Sequence, residues 1–169
     1  MALALGMIGT LGRFGLARLY QSALNSGVAA WPTANKAFYF SVEVPLPITI
    51  DRMFYIAGGA GTGNIDIAVF NGDTLAKIVS TGATAGVATE GMQKISITET
   101  DLNPGVYLLG MSIDSNTFTI HRTAAGATTN PFWGRSETSA HPLPSTATLS
   151  AAGADYQPSF GMLCTGCYV

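Results

Sequence analysis

GNIDIAVFNG, residues 63–72, decides the fold. Ile65, Ile67 and Val69 fall on one face and Asn64, Asp66 and Ala68 on the other, the period-two alternation of a half-buried strand. Asn71-Gly72 follows, a dipeptide that supplies the positive φ values of a two-residue hairpin turn. TLAKIVST (74–81) then runs back. QKISIT (93–98) alternates again, with Ile95 and Ile97 on one side and Lys94, Ser96 and Thr98 on the other. Asn103-Pro104-Gly105 marks the next reversal. VYLLGMSI (106–113) is apolar on both faces, as expected of a strand covered on both sides. Asp114-Ser115-Asn116 turns the chain into TFTIHR (117–122), where Phe118 and Ile120 oppose Thr117, Thr119 and His121.

Outward from this block the pattern continues. KAFYFSVEV (36–44) places Phe38, Phe40, Val42 and Val44 inward and Tyr39, Ser41 and Glu43 outward. Pro45-Leu46-Pro47 breaks it, ITIDRMFYIA (48–57) is the next strand, and GGAGTG (58–63) leads back into the central block. SFGML (159–163) reads as a last strand returning to a sheet edge. Short strands with turn signals at this spacing predict an all-β fold, an antiparallel two-sheet β-sandwich of jelly-roll-like type. The predicted organisation is an N-terminal assembly arm over 1–30, a sandwich over 31–164 that includes a long loop at 123–158, and a C-terminal tail at 165–169. A loop of that length in a compact domain is expected to be functional or laid over a partner.

The chain has 169 residues, a formal net charge of −2 and only 11 % charged residues. A chain of this size buries roughly 70 % of its unfolded surface and folds without metal or disulfide help. No basic footprint for nucleic acid is present. No run of 18 apolar residues occurs, so no membrane-spanning helix is expected. So few charges point to a surface covered by neighbours in a larger assembly.

The N-terminal stretch carries Leu3, Leu5, Met7, Ile8, Leu11, Phe14, Leu16 and Leu19 with two charges, Arg13 and Arg18. No Lys or Arg precedes the apolar run and Arg13 interrupts it, which disfavours a cleaved leader. These eight apolar side chains form the candidate assembly interface, docked on a partner. Gly6, Gly9, Gly12 and Gly15 recur every third residue, but without proline they indicate a close-packing extended arm rather than a collagen-like helix. RLYQSALNSG (18–27) reads as a short helix ended by Gly27.

Candidate chemistry is sparse. GGAGTG lacks the Lys and Ser/Thr of a phosphate loop and precedes a strand instead of a helix. His121 and His141 are the two histidines, and no G-x-S-x-G turn accompanies them, so both read as surface side chains. Asp73, Asp101 and Asp114 read as turn formers, since no calcium-loop spacing is present. Cys164 and Cys167 have redox-motif spacing but end the chain, where no helix N-terminus lowers a thiol pKa. The spacing leaves packed thiols, a disulfide within or between subunits, and a zinc site completed by other ligands, in that order. Trp31, Phe132, Trp133 and Tyr156 offer a sugar-stacking platform, or pin loops to the domain. No catalytic, cofactor or metal residues are assigned, and no cofactor is expected.

VPLPITIDRMFYIAGGAGTGNIDIAVFNGDTLAKIVSTG (44–82), ITETDLNPGVYLLGMSID (97–114) and HPLPSTATLSAAGADYQPSFGML (141–163) together carry a likeness. The chain resembles small jelly-roll-like virion structural proteins of tailed bacteriophages, of fibre, decoration or minor tail type. Gly63-Asn64-Ile65-Asp66 leading into a hairpin, the L-x-P-G-x-Y turn at 102–107, the Leu143-Pro144 loop and the P-x-F-G strand at 158–161 match that pattern. The likeness covers about Trp31 to Leu163 and leaves out the arm and the CTGC ending. It implies a non-enzymatic virion component, placed on capsid or head fibre, tail or baseplate. The arm would anchor it to other virion proteins and to copies of itself, with a trimer preferred. The alternative is a carbohydrate-binding β-sandwich module recognising a cell-surface glycan, since similar folds occur in secreted carbohydrate-binding and prepeptidase-type domains.

Overall fold

The computed structural model describes residues 15–16, 26–124, 134–138, 140–150 and 156–165. In chain order the strands are β1 (Gly15–Leu16), β2 (Ser26–Ala30), β3 (Ala37–Val44), β4 (Ile48–Ala57), β5 (Asn64–Asn71), β6 (Lys77–Ser80), β7 (Thr84–Ala85), β8 (Gly91–Leu102), β9 (Gly105–Ile113), β10 (Thr119–Ala124), β11 (Arg135–Glu137), β12 (Tyr156–Pro158) and β13 (Phe160–Cys164). They form two antiparallel sheets packed face to face, the two-sheet sandwich that the alternation predicts.

The first sheet runs β1-β13-β4-β10-β12, with β8 on the other edge of β4 and β2 beside β10. The second runs β11-β3-β9-β5-β6, with β7 beside β5. Between successive described strands the chain changes sheet at eight of twelve steps. Of the three turn signals in the central block, Asn71-Gly72 alone joins hydrogen-bonded neighbours, β5 and β6. Asn103-Pro104 and Asp114–Asn116 carry the chain from one sheet to the other.

The Asn71-Gly72 reversal also differs from a two-residue turn. Asn71 Oδ1 accepts from the Asp73 and Thr74 amides at 2.9 and 2.8 Å, and the positive φ falls on Leu75 at 59°. A side-chain acceptor that caps successive amides lengthens the turn by local competition with the ladder. SFGML is likewise not at an edge: β13 lies between β4 and β1. Ser159, between β12 and β13, sits where β4 and β10 part. Its amide donates to His121 O at 2.8 Å and its carbonyl accepts from Ile56 N at 3.0 Å.

Between the sheets lie Phe38, Phe40, Val42 and Val44 of β3, Ile65, Ile67 and Val69 of β5, and Leu109, Met111 and Ile113 of β9. Ile50, Met53 and Tyr55 of β4, Phe118, Ile120, Phe160 and Met162 complete the core from the other side. Every inward residue named from the alternation is there, with Ile95 and Ile97 packed against it and half-buried. Edge-to-face rings, Trp31 on Phe38 at 5.2 Å and Phe40 on Phe160 at 5.9 Å, add directional packing to area burial.

The first sheet begins inside the stretch assigned to the arm. Ser26–Ala30 pairs with β10 from Ala30↔Thr119 to Ser26↔Thr123, so Gly27 stands in a strand and does not end a helix. Of the helix expected over 18–27, residues 18–25 fall outside the described residues.

Candidate functional site

The outer face of the second sheet carries a buried polar cluster around Asp66 and Ser112. Alternation along β5 turns Ile65 and Ile67 inward, which sends Asp66 to the opposite face beside its cross-strand partner Ser112 on β9. That face was expected to meet solvent. Instead the Leu-Pro segment from Ala140 to Ser150 lies across it. Ala140, Leu143 and Ala147 pack on Ala37, Tyr39, Ala68, Phe70 and Leu108 in a second apolar cluster. Tyr39 and Phe70 meet edge-on at 5.5 Å beneath it. The long loop thus covers its own sheet.

Backbone bonds fix the segment to the sandwich: Ala140 N to Asn35 O at 2.7 Å, Lys77 N to Ser145 O at 2.8 Å and Ala147 N to Leu75 O at 2.9 Å. Side chains do the rest. Asp66 Oδ2 accepts from Leu143 N at 2.9 Å, and Lys77 Nζ donates to Leu143 O at 2.8 Å. Thr81 Oγ1 donates to Asp66 Oδ1 at 3.2 Å. Tyr39 OH donates to Glu137 Oε2 at 2.8 Å, and the same oxygen accepts from Thr148 N at 3.0 Å. Asp66 is fully buried, and burial pushes its carboxyl above the ordinary value. The Leu143 amide, Lys77, Thr81 and His141 pull it part of the way back. Tyr39 is pushed up by burial first and then by the Glu137 and Asp66 carboxylates.

His141 belongs to this cluster, which corrects its reading as a surface side chain. Its Nδ1 lies 3.0 Å from Ser112 Oγ, its Nε2 is buried without a hydrogen-bond partner, and the His141-Pro142 peptide is cis. Ser112, His141 and Asp66 are the residue types of a hydrolytic triad, yet their geometry is a different one. No hydrogen bond joins Asp66 to His141, because the carboxylate oxygens take Leu143 and Thr81. Ser112 is also fully buried, which leaves a substrate no approach to its oxygen. The cluster holds a loop.

His121 is half-buried on β10, with Nε2 3.6 Å from Glu90 Oε1. Asp114 accepts twice from Asn64, at 2.7 Å from the amide and 2.7 Å from the side chain, and so latches β9 to the start of β5. Asp101 lies in β8, not a turn, and accepts from Thr49 Oγ1 at 2.5 Å. The glycine loop is sewn to β10: Gly58 N donates to Thr119 O at 2.9 Å, and Ala60 N to Thr119 Oγ1 at 2.9 Å. Trp31 is an interior residue, 1 % exposed, with Nε1 donating to Lys36 O at 3.0 Å, so it takes no part in a stacking platform. Phe132, Trp133 and the side chain of Tyr156 lie outside the described residues.

Cys164 is buried at the end of β13 and disulfide-bonded, which overturns its reading as a packed thiol. Cys167 lies outside the described residues. Of the candidate assembly residues, Leu16 lies in β1, paired with Gly161 of β13. Leu3, Leu5, Met7, Ile8, Leu11, Phe14 and Leu19 lie outside the described residues. Among the described residues no group of three or more His, Cys, Asp or Glu is placed to hold a metal ion. No helix among them is long and apolar enough to cross a membrane.

Sequence reasoning passed over Asp66, Ser112 and Lys77. A signal was present: VYLLGMSI is apolar on both faces, so its neighbour β5 is covered on both faces too, and an Asp there needs buried partners. Compared with known protein families and with curated proteins, the chain matches no family model and no curated protein.

Proposed function

We propose that this chain is a non-enzymatic structural component of a tailed-phage virion, on the capsid or head fibre or in the tail or baseplate. The sandwich is the body, and the apolar N-terminal arm anchors it to other virion proteins and to copies of itself, a trimer being the preferred arrangement. The observation that carries this reading is the arm. Residues 2–19 hold eight large apolar residues and two charges, and the Gly15–Leu16 step is paired into the first sheet. An apolar segment tethered in this way to a folded body is suited to burial against a partner at roughly 25 cal/mol per Å². The buried polar side chains support it as well, since under the Ala140–Ser150 segment they bind the chain to itself. The glycan-binding alternative has lost Trp31 to the core.

Gradient-purified particles from cultures producing the chain should contain it. Deleting residues 2–14, which spares β1, should leave a folded, soluble sandwich missing from the particles. Incorporation of the truncated chain at normal occupancy would remove the arm as anchor. Absence of the full chain from particles would remove the virion reading.

A further inference from the structure

The reversal after β5 joins a chemically reactive pair, Asn71 and Gly72, to the segment that covers the second sheet. A carboxamide followed by glycine is labile, because no side chain shields the glycine nitrogen from the neighbouring side-chain carbonyl carbon. The fold leaves the sequence no way to avoid the pair. A Cβ at position 72 would stand 2.4 Å from the Val106 carbonyl oxygen, so β9 passes too close for any side chain. Gly72 is not among the glycines with positive φ, so close approach alone requires it. Asn71 is needed as the cap of the turn: its Oδ1 accepts from the Asp73 amide at 2.9 Å, the Thr74 amide at 2.8 Å and the Thr74 hydroxyl at 3.1 Å.

Native bonds oppose attack of the Gly72 nitrogen on Asn71 Cγ. Gly72 N donates to Val106 O at 3.1 Å, which occupies the attacking atom. The bonds to Oδ1 fix the carbonyl under attack. Leu75 N donates to Asn71 O at 3.0 Å and Asn71 N to Ala76 O at 2.9 Å, so the backbone cannot rotate at Asn71 without breaking the turn. Asn71 and Gly72 are half-buried while Asp73 and Thr74 are exposed, so water reaches the turn. The residues that follow hold the covering segment. Leu75 O accepts from Ala147 N at 2.9 Å, Lys77 N donates to Ser145 O at 2.8 Å, and Ala76 is bridged to Thr146.

We propose that Asn71-Gly72 is a self-modification site that the native turn holds closed, and that its conversion loosens the Ala140–Ser150 segment. When the turn opens, the Gly72 nitrogen gives its proton to solvent base and bonds to Asn71 Cγ. The Cγ–Nδ2 bond breaks and ammonia leaves, which closes a cyclic imide. Water then opens the imide at either carbonyl carbon. Opening at Cγ gives aspartate, which keeps an oxygen in place for the two amides and the hydroxyl. Opening at the main-chain carbon gives isoaspartate, in which the chain runs through the former side chain. That inserts a methylene between residues 71 and 72 and takes the capping oxygen from its place. Leu75 and Lys77 then lose their alignment with Ala147 and Ser145, much as an inserted residue disrupts a ladder. This site is distinct from the arm and does not rest on the virion reading.

The test uses the full chain, aged in mildly alkaline buffer either folded or unfolded in urea, with conversion at Asn71 followed by peptide mapping. The folded chain should convert at least about tenfold more slowly, because only local opening populates the reactive form. Thr74→Ala removes the hydroxyl donor. While folded it should convert about two- to tenfold faster than wild type, the factor that one hydrogen bond is worth, and in urea at the wild-type rate. Converted chains are separated from aged folded samples by their added negative charge. Those carrying isoaspartate should exchange the Ala147 and Lys77 amides faster than unconverted chains, whereas an Asn71→Asp variant should exchange them as wild type does. Equal rates folded and unfolded, a folded Thr74→Ala chain no faster than wild type, or isoaspartyl chains with unaltered exchange would overturn the proposal.

Discussion

Asp66 and Lys77, from adjacent strands of one hairpin, grip the two backbone polar groups of the same residue. The carboxylate takes the Leu143 amide at 2.9 Å and the ammonium holds the Leu143 carbonyl at 2.8 Å. Leu143 itself is buried, so neither group has water as an alternative. The two side chains thereby hold both backbone polar groups of Leu143 in place.

Removing the acceptor should be costly. Asp66→Ala leaves the Leu143 amide buried without a partner, a loss of about 1–3 kcal/mol. Asp66→Asn keeps an oxygen in place and should lose less. Urea unfolding measures both, and hydrogen exchange at the Leu143 amide should accelerate more in the alanine variant than in the asparagine one. Equal destabilisation by the two would mean that the carboxylate oxygen is not what holds the loop.

The same carboxyl gives the protein a pH dependence of known sign. Burial raises the folded-state pKa of Asp66 above its ordinary 3.8. A raised acid binds its proton more tightly in the folded state, so its contribution is fully present below pH 3.8 and is lost as pH rises through the folded value. Wild type should therefore lose stability relative to Asp66→Asn as pH climbs from about 4 towards neutrality. Paired urea midpoints across pH 3–8 provide the readout. A difference that stays flat, or that grows in the opposite direction, contradicts the assignment.

Tyr39 is shielded from titration by burial and by its bond to Glu137. In an alkaline absorbance titration Tyr39→Phe should leave the native-state phenolate signal unchanged and lower the signal that appears on unfolding. Its cost in stability should be about 1.5–3 kcal/mol, the range for a hydrogen bond to a charged partner. A native-state signal that drops by one tyrosine would show that Tyr39 ionises freely.

Two glycines should separate backbone need from mere presence. Gly61 has φ +88°, and a Cβ there would collide with the Thr117 carbonyl oxygen. Gly27, in β2, has nothing within 4 Å of an added Cβ and no positive φ. Gly61→Ala should cost more than about 1 kcal/mol because conformational strain and a backbone clash add. Gly27→Ala should be neutral or slightly stabilising. Thermal melts of the two variants decide it, and equal shifts would sink the distinction.

Alternation by itself determined which residues line the space between the sheets. Phe38, Phe40, Ile65, Ile67, Phe118 and Ile120 were assignable because a strand's side chains have period two, and one register satisfies one buried face. What covers the outer faces was decided by tertiary structure alone. That Asp66 would be sealed rather than solvated depends on Leu143, 77 residues away, and periodicity carries no information about contacts at that distance. The same holds for His141, whose partner Ser112 lies 29 residues upstream on another strand. Turn chemistry was legible as position but not as connection. Asn103-Pro104-Gly105 announces a reversal, yet whether the returning strand pairs with its predecessor or crosses to the other sheet depends on which apolar face is left to cover. That is settled by packing the two sheets against each other, not by the four residues of the turn.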